Sequence, residues 1–128
     1  MFLIKQRKLE HLISGWFIHI TPSGAARFVK NEIIKLLEAA QSKDIEALVE
    51  NKLSHMFKGK ILSIYYPNMY LNIFSDHHLD YFLDKLVLSK TEMLYNDPIC
   101  KRELLVKYKN EDPIMKSWSL ELFSHFLY

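Results

Sequence analysis

The sequence has few of the residues that interrupt helices or cross-link small domains. Its 128 residues include three glycines, four prolines and a single cysteine, Cys100. A lone cysteine excludes an internal disulfide framework and a cysteine-rich zinc site, and it fits a reducing, cytoplasmic location. So little glycine disfavours a strand-rich domain, which needs more tight turns. No apolar run approaches the ~20 residues of a membrane span, and no cleavage site typical of a signal peptide follows the basic N-terminus.

The sequence also has little excess charge of either sign, since its net charge at pH 7 is +2 with neutral histidines. Such a balance is not by itself a nucleic-acid signature. The charges are unevenly placed, with ten Lys or Arg against six Asp or Glu in residues 1–60 and seven against nine in residues 61–128. The first part is therefore the better candidate for contact with an anion. The length and the 49% apolar content predict one domain over residues 1–128.

The apolar spacing predicts an all-α fold, a bundle of about five to seven helices preceded by a short strand or extended segment near residues 15–20. Helix starts are marked by Asp44, Ser54 and Ser75 and by Thr-Pro or Asp-Pro pairs at 21–22, 97–98 and 112–113. The helices expected from these signals cover about 23–41, a short run after Asp44, 54–66, 76–87, 98–109, and a last run from Ser117 that buries Leu120, Phe123, Phe126 and Leu127.

No motif predicts catalysis or a bound cofactor. A phosphate-binding loop needs Gly-x-x-x-x-Gly-Lys-Ser/Thr, and the one Gly-Lys pair, Gly59-Lys60, is followed by Ile61 within a predicted helix. No Gly-x-Ser-x-Gly elbow is present. Cys100 falls early in a helix, where a thiolate is somewhat favoured, but a lone cysteine is more often a small core residue. We therefore expect neither an enzyme nor a cofactor.

The segment Asp76-His77-His78-Leu79-Asp80 is the best candidate for a metal site. Metal ligands on a helix recur every three or four residues, and no two of these imidazoles have that spacing. A structural interpretation is preferred, in which Asp76 lies at a helix N-terminus and the His78 side chain reaches back to the Ser75 cap. Asp76, Asp80 and Asp84 are expected on the outer face of this helix. A small metal protein or enzyme using His77, His78, Asp80 or Cys100 remains an alternative.

Basic and aromatic residues supply the candidates for nucleic-acid contact. Four aromatic residues flank Pro67, and such rings can stack on bases when cations lie nearby. Filling the core around an irregular turn is the preferred interpretation of these rings. The residues expected to contact a nucleic acid, if one is bound, are Lys5, Arg7, Lys8, Lys58, Lys60 and Tyr66.

Several segments together suggest a family. They are a Tyr-x-Pro turn at residues 65–67, Leu-x-Ile-Phe-Ser at residues 71–75 with His-Leu and Phe-Leu soon after, Arg-Glu-Leu-Leu at residues 102–105, and Trp-Ser followed by Phe-Leu-Tyr near the end. From about residue 39 to residue 128 the chain resembles the helical region upstream of the AAA-type motor in proteins related to McrB. McrB is the GTPase subunit of a 5-methylcytosine-dependent restriction system. The matching positions that mark the fold are Tyr65, Pro67, Ile73, Phe74, Ser75, His78, Leu79, Phe82 and Trp118.

The resemblance implies a non-catalytic module of a restriction or defence NTPase. No motor motif is present in these residues, so the chain looks like an excised or standalone N-terminal region. Its partners would be DNA, or other domains or subunits of a restriction complex. A protein–protein adaptor with no nucleic-acid role is the main alternative.

Overall fold

The computed structural model describes residues 23–128, and these are entirely helical or irregular. The prediction of an all-α fold is confirmed, because they form six α-helices, two 3₁₀ turns and no strand. The chain divides into two compact units at Leu53 and Ser54, where the sequence predicts a helix start and no domain boundary. The candidate strand and the Thr21-Pro22 helix start lie outside the described residues.

The first unit contains helix α1 (Ser23–Ser42) and the short helix α2 (Ile45–Glu50). Lys43 adopts a left-handed backbone conformation (φ 51°) that ends α1, and Asp44 then caps α2 by accepting the Ala47 N–H. Glu32, a buried residue of α1, accepts a hydrogen bond from the Lys52 backbone N–H at 3.0 Å, the main cause of its lowered pKa. The Asn51 side chain donates to the Glu32 carbonyl at 2.8 Å, so the segment after α2 is tied to α1.

The second unit contains four helices: α3 (His55–Tyr65), α4 (Asp76–Lys85), α5 (Pro98–Glu111) and α6 (Leu120–Leu127). Helix α5 is central, since α3, α4 and the 3₁₀ turn Met115–Ser117 all contact it. A second 3₁₀ turn, Lys90–Glu92, lies between α4 and α5. The core cluster is built from α4, α5, α6, the turn Met115–Ser117 and the extended segment before α4, and its buried residues are Leu71, Ile73, Leu79, Phe82, Leu83, Leu104, Leu105, Val106, Met115, Leu120 and Phe123.

The helix starts predicted at Asp44, Ser54, Ser75 and Asp97-Pro98 are confirmed, because each rests on a local hydrogen bond. Ser54 Oγ accepts the Phe57 N–H, and Ser75 Oγ accepts the His78 N–H. Asp97 accepts the Ile99 N–H, with Pro98 in the first turn, where a missing N–H costs nothing. Each cap satisfies a donor that would otherwise lack a partner.

Helix ends and helix faces depart from the prediction in several places. Asp112-Pro113 starts only a turn, in which Asp112 accepts the N–H groups of residues 114 and 115. The last helix starts at Leu120, after the Ser119 cap, and not near Ser117. Helix α4 ends at Lys85 because Val87 turns left-handed. Phe126, which the sequence predicts to be buried, is about half exposed.

The residues that carry the family resemblance lie in the second unit, where several of them are buried or mark helix ends. Ile73, Leu79 and Phe82 are buried, and Ser75 caps α4. Pro67 is exposed just after the end of α3, as expected of a residue that cannot continue a helix. Tyr65, Phe74 and Trp118 are half-buried, and His78 is exposed. None of the helices between residues 23 and 128 has both the length and the apolar content of a membrane span.

Candidate functional site

Three of the residues expected to contact a nucleic acid, Lys58, Lys60 and Tyr66, lie in the described part of the chain, and they do not form one exposed surface. Lys60 is exposed on α3, but Lys58 is among the most deeply buried side chains, so the prediction that it contacts a nucleic acid is wrong. Tyr66 is half-buried and its ring meets that of Tyr70 edge-on at 6.2 Å. The other three, Lys5, Arg7 and Lys8, lie outside the described residues.

The burial of Lys58 follows from its position on α3. Residues three and four apart share a helix face, and Lys58 therefore lies on the same face as Ile61 and Leu62, both buried. The sequence contained this signal, although a lysine is rarely fully buried. A buried ammonium cannot reach a phosphate.

The acidic residues of the candidate metal segment form an ion-pair cluster with a lysine. Lys101 of α5 places its Nζ 2.6 Å from Asp76 Oδ1 and 2.9 Å from Asp80 Oδ1, both on α4. Lys90 adds a longer contact to Asp80 at 3.4 Å. The Lys101 side chain is only 5% exposed, and its hydrogen bond holds the pKa of Asp80 below its usual range. A protein cation thus occupies the place between the carboxylates where a metal ion would bind.

This ion-pair cluster corrects the prediction that Asp76, Asp80 and Asp84 all lie on a solvated outer face. Asp84 is exposed, but Asp80 is partly buried against α5. No group of three or more His, Cys, Asp or Glu side chains in residues 23–128 is arranged to hold a metal ion. The partner, Lys101, is 25 residues from Asp76 in the sequence, so helix periodicity could not have identified it.

The sequence predicts that the His78 side chain reaches back to the Ser75 cap of α4. In the structure the ring bonds elsewhere. The Nδ1 atom of the ring lies 2.7 Å from the Tyr128 hydroxyl, while only the His78 backbone N–H bonds to Ser75. The Tyr128 ring also meets the ring of Phe82 edge-on at 5.0 Å. The imidazole therefore connects α4 to the residue after α6, which is a structural contact.

A buried arginine links α5 to the extended segment before α4. Arg102 Nη1 donates to the Ile73 carbonyl at 3.3 Å, and burial lowers the pKa of the guanidinium to about 10. Gly59 of α3 permits this packing, because a Cβ there would lie 2.9 Å from Phe74 Cδ1 and 3.0 Å from Arg102 Nη1. Arg102 thus holds three elements together and is inaccessible to a ligand.

Cys100 is a core residue. It is buried in the first turn of α5. Burial raises the pKa of its thiol, with the nearby carboxylate of Asp97 acting in the same direction. The thiolate that a nucleophile or metal ligand needs is therefore disfavoured. The interpretation of Cys100 as a small core residue fits these observations better than a chemical role.

Two surface depressions are lined largely by polar and charged side chains, some of which pair with one another. One, of about 470 Å³, lies over the ion-pair cluster and is lined by Asp76, Asp80, Lys90, Met93, Asn96 and Lys101. The other, of about 510 Å³, lies in the first unit beside α1 and α2, and its lining includes the paired Glu32 and Lys35. Ligand pockets are usually lined mainly by apolar side chains with a few convergent polar groups, and neither depression has that character.

Large apolar side chains are instead exposed on two helices of the second unit. On α3, Met56 is 53% and Ile64 is 70% exposed, with exposed Lys60 between them; these three residues are called the α3 stripe below. On α6, Leu122 and Phe126 are each about half exposed. Both sets follow four-residue spacing, so each lies on one side of its helix.

Comparisons with known proteins give no relative. No protein-family model matches the chain, no curated protein does, and no solved structure resembles it closely enough to count as a match.

Proposed function

We propose that this chain is a non-catalytic helical module that acts by contact with a protein partner. The context we propose is the coupling of domains or subunits in an McrB-like restriction or defence NTPase, and this part rests on the sequence resemblance alone. The choice of a protein partner over DNA rests on one observation, the surface charge of the second unit.

Nearly half of the basic side chains of the second unit are buried. Residues 54–128 contain nine Lys or Arg and nine Asp or Glu. Four of the basic residues are buried, against one acidic residue, Asp97. Five cations and eight anions therefore remain at or near the surface, where they face solvent. A DNA-binding surface needs several cations to neutralise phosphates, so this charge balance favours a protein partner. The buried cations are Lys58, Lys101, Arg102 and Lys109.

The test uses the full chain and a purified McrB-like motor subunit from the same source. Sedimentation velocity should show a complex at roughly 50 µM of each protein, the range in which transient interfaces form. In parallel, labelled duplex DNA with and without 5-methylcytosine should not bind the chain at low salt. Absence of a complex with the motor would refute the proposed context.

A DNA outcome would be recognised by its salt dependence. Phosphate contacts release counterions, so affinity for a duplex would fall steeply as salt rises from about 50 to 200 mM. Such binding, together with no complex with the motor, would replace the protein-coupling proposal with the DNA-contact alternative.

A further inference from the structure

We infer that the α3 stripe docks an amphipathic helix of a protein partner, one that places an acidic side chain between two apolar ones. This inference rests on the proposed function, because it assumes that the partner is a protein. Met56, Lys60 and Ile64 are spaced by four residues, so they follow one side of α3 for about 12 Å, or two turns. That length matches the anchor spacing of a helix packed along another helix.

The charge of α3 indicates the sign of the partner. Of the six α-helices in residues 23–128, α3 alone contains no Asp or Glu. No ion pair joins Lys60 to another residue of the described chain. A partner that covers Met56 and Ile64 also covers the lysine between them. Burying an unpaired ammonium is costly, so a stable complex requires the partner to supply a carboxylate at that point.

The arrangement of the α3 stripe disfavours the two other occupants. A second copy of this chain, packed antiparallel about a two-fold axis, would place Lys60 against Lys60 of the other copy, because the lysine is at the centre of the stripe. Like charges in contact oppose such a dimer. DNA would pair with the ammonium but would leave Met56 and Ile64 uncovered, and it would meet only one cation.

The experiment is a titration of the ¹⁵N-labelled full chain with two designed helical peptides. One peptide carries Leu, Glu and Leu at four-residue spacing on an alanine-rich helix, and the other carries Lys in place of Glu. We expect the acidic peptide to shift the amide resonances of α3 and to bind about tenfold more tightly than the basic peptide. Equal affinities, or shifts confined to other helices, would overturn the inference.

Charge reversal in the chain provides the matched control. Lys60→Glu should reverse the preference, so that the basic peptide binds more tightly, and Ile64→Ser should weaken both peptides. Lys107→Glu, at an exposed lysine of α5, should leave the preference unchanged. A preference that Lys60→Glu does not alter would count against the α3 stripe, as would shifts of α3 resonances by duplex DNA at low salt.

The two proposals can fail separately. If the motor subunit binds the Lys60→Glu chain as well as the unmodified chain, coupling stands but does not use the α3 stripe. If the acidic peptide binds to α3 and the motor subunit does not bind, the stripe recognises acidic helices and the proposed NTPase context is wrong.

Discussion

The replacement Lys101→Met tests whether the ion-pair cluster between α4 and α5 stabilises the second unit. Methionine replaces the apolar stem of lysine with one of the same length and removes the ammonium that lies 2.6 Å and 2.9 Å from the carboxylates of Asp76 and Asp80. The two acids, one turn apart on α4, then lose the cation between them, and only the longer contact of Lys90 to Asp80 at 3.4 Å remains. Both hydrogen bonds to charged groups are lost in the same step.

The expected cost lies between that of a buried and that of a surface ion pair. Breaking a buried pair costs about 3–5 kcal/mol, whereas an exposed pair contributes about 0–1 kcal/mol. Lys101 is 5% exposed, but Asp76 and Asp80 are 55% and 38% exposed, so water can still solvate the carboxylates after the replacement. We therefore expect the free energy of unfolding to fall by about 2 kcal/mol, measured by urea unfolding followed by circular dichroism.

The pH dependence of this difference has a definite sign. The pKa of Asp80 is lowered in the folded chain by the hydrogen bond from Lys101, so its contribution to stability is present above the ordinary aspartate pKa of about 3.9 and is lost as pH falls through the folded value. Burial lowers the pKa of Lys101, but its bonds to the two carboxylates outweigh this and raise it, so its contribution is lost only at strongly alkaline pH. The difference between wild type and variant should be constant from about pH 5 to 10 and should narrow below about pH 4.

A matched control separates the ion-pair cluster from a general loss of charge. Lys107→Met removes an ammonium from the same helix, where the side chain is 56% exposed and its contacts to Glu92 and Glu111 are 3.6 Å and 3.9 Å. This change should cost less than about 0.5 kcal/mol. Equal costs for the two replacements, or a Lys101→Met effect that does not change between pH 7 and pH 3, would refute the reasoning.

Three further predictions concern backbone strain, close packing and thiol reactivity. Val87→Gly should raise the free energy of unfolding by about 1 kcal/mol in urea, because Val87 is exposed at φ 55°, where a side chain is strained, and Val87→Ala should give no comparable gain. Gly59→Ala should lower the free energy of unfolding by about 1–3 kcal/mol, because the added Cβ would clash with Phe74 and Arg102. Gly24→Ala, with open space around it, should raise the free energy of unfolding by up to about 1 kcal/mol. Cys100 should react with a thiol reagent at pH 7.5 only after unfolding in urea, and rapid labelling of the folded chain would contradict its burial.

Sequence reasoning succeeded where the cause is local. The caps at Asp44, Ser54, Ser75 and Asp97 each depend on a side chain bonding to an N–H two or three residues away, so the residue type and its neighbours suffice. The end of α3 before Pro67 is local in the same sense. These features fixed the helix order and hence the all-α prediction.

Prediction from the sequence failed where burial depends on residues far away in the chain. Periodicity assigned Phe126 to the buried face of its helix, but how wide a face is covered depends on its neighbours, and the ring is about half exposed. The spacing of Asp76 and Asp80 identified a shared helix face but not the lysine of α5 that pairs with them. Nothing near position 101 marks that lysine as internal.

The buried cations of the second unit show why the charges counted in a sequence are a poor guide to the charge of the surface. The three cations buried on α5 have three different kinds of partner: Lys101 has carboxylates, Arg102 has the Ile73 carbonyl at Nη1 while its Nη2 has no partner among the described residues, and Lys109 has the Lys116 carbonyl at 3.2 Å. Two of these partners are backbone oxygens, which composition does not count. Charges used in this way cannot steer a ligand, so equal numbers of basic and acidic residues in the sequence of the second unit do not give it a neutral surface. Helix α3 differs from the rest of this surface, because it has an exposed lysine, Lys60, and no acidic residue. A partner that recognises α3 must therefore do so by direct contact, since the net charge of the second unit's surface is acidic.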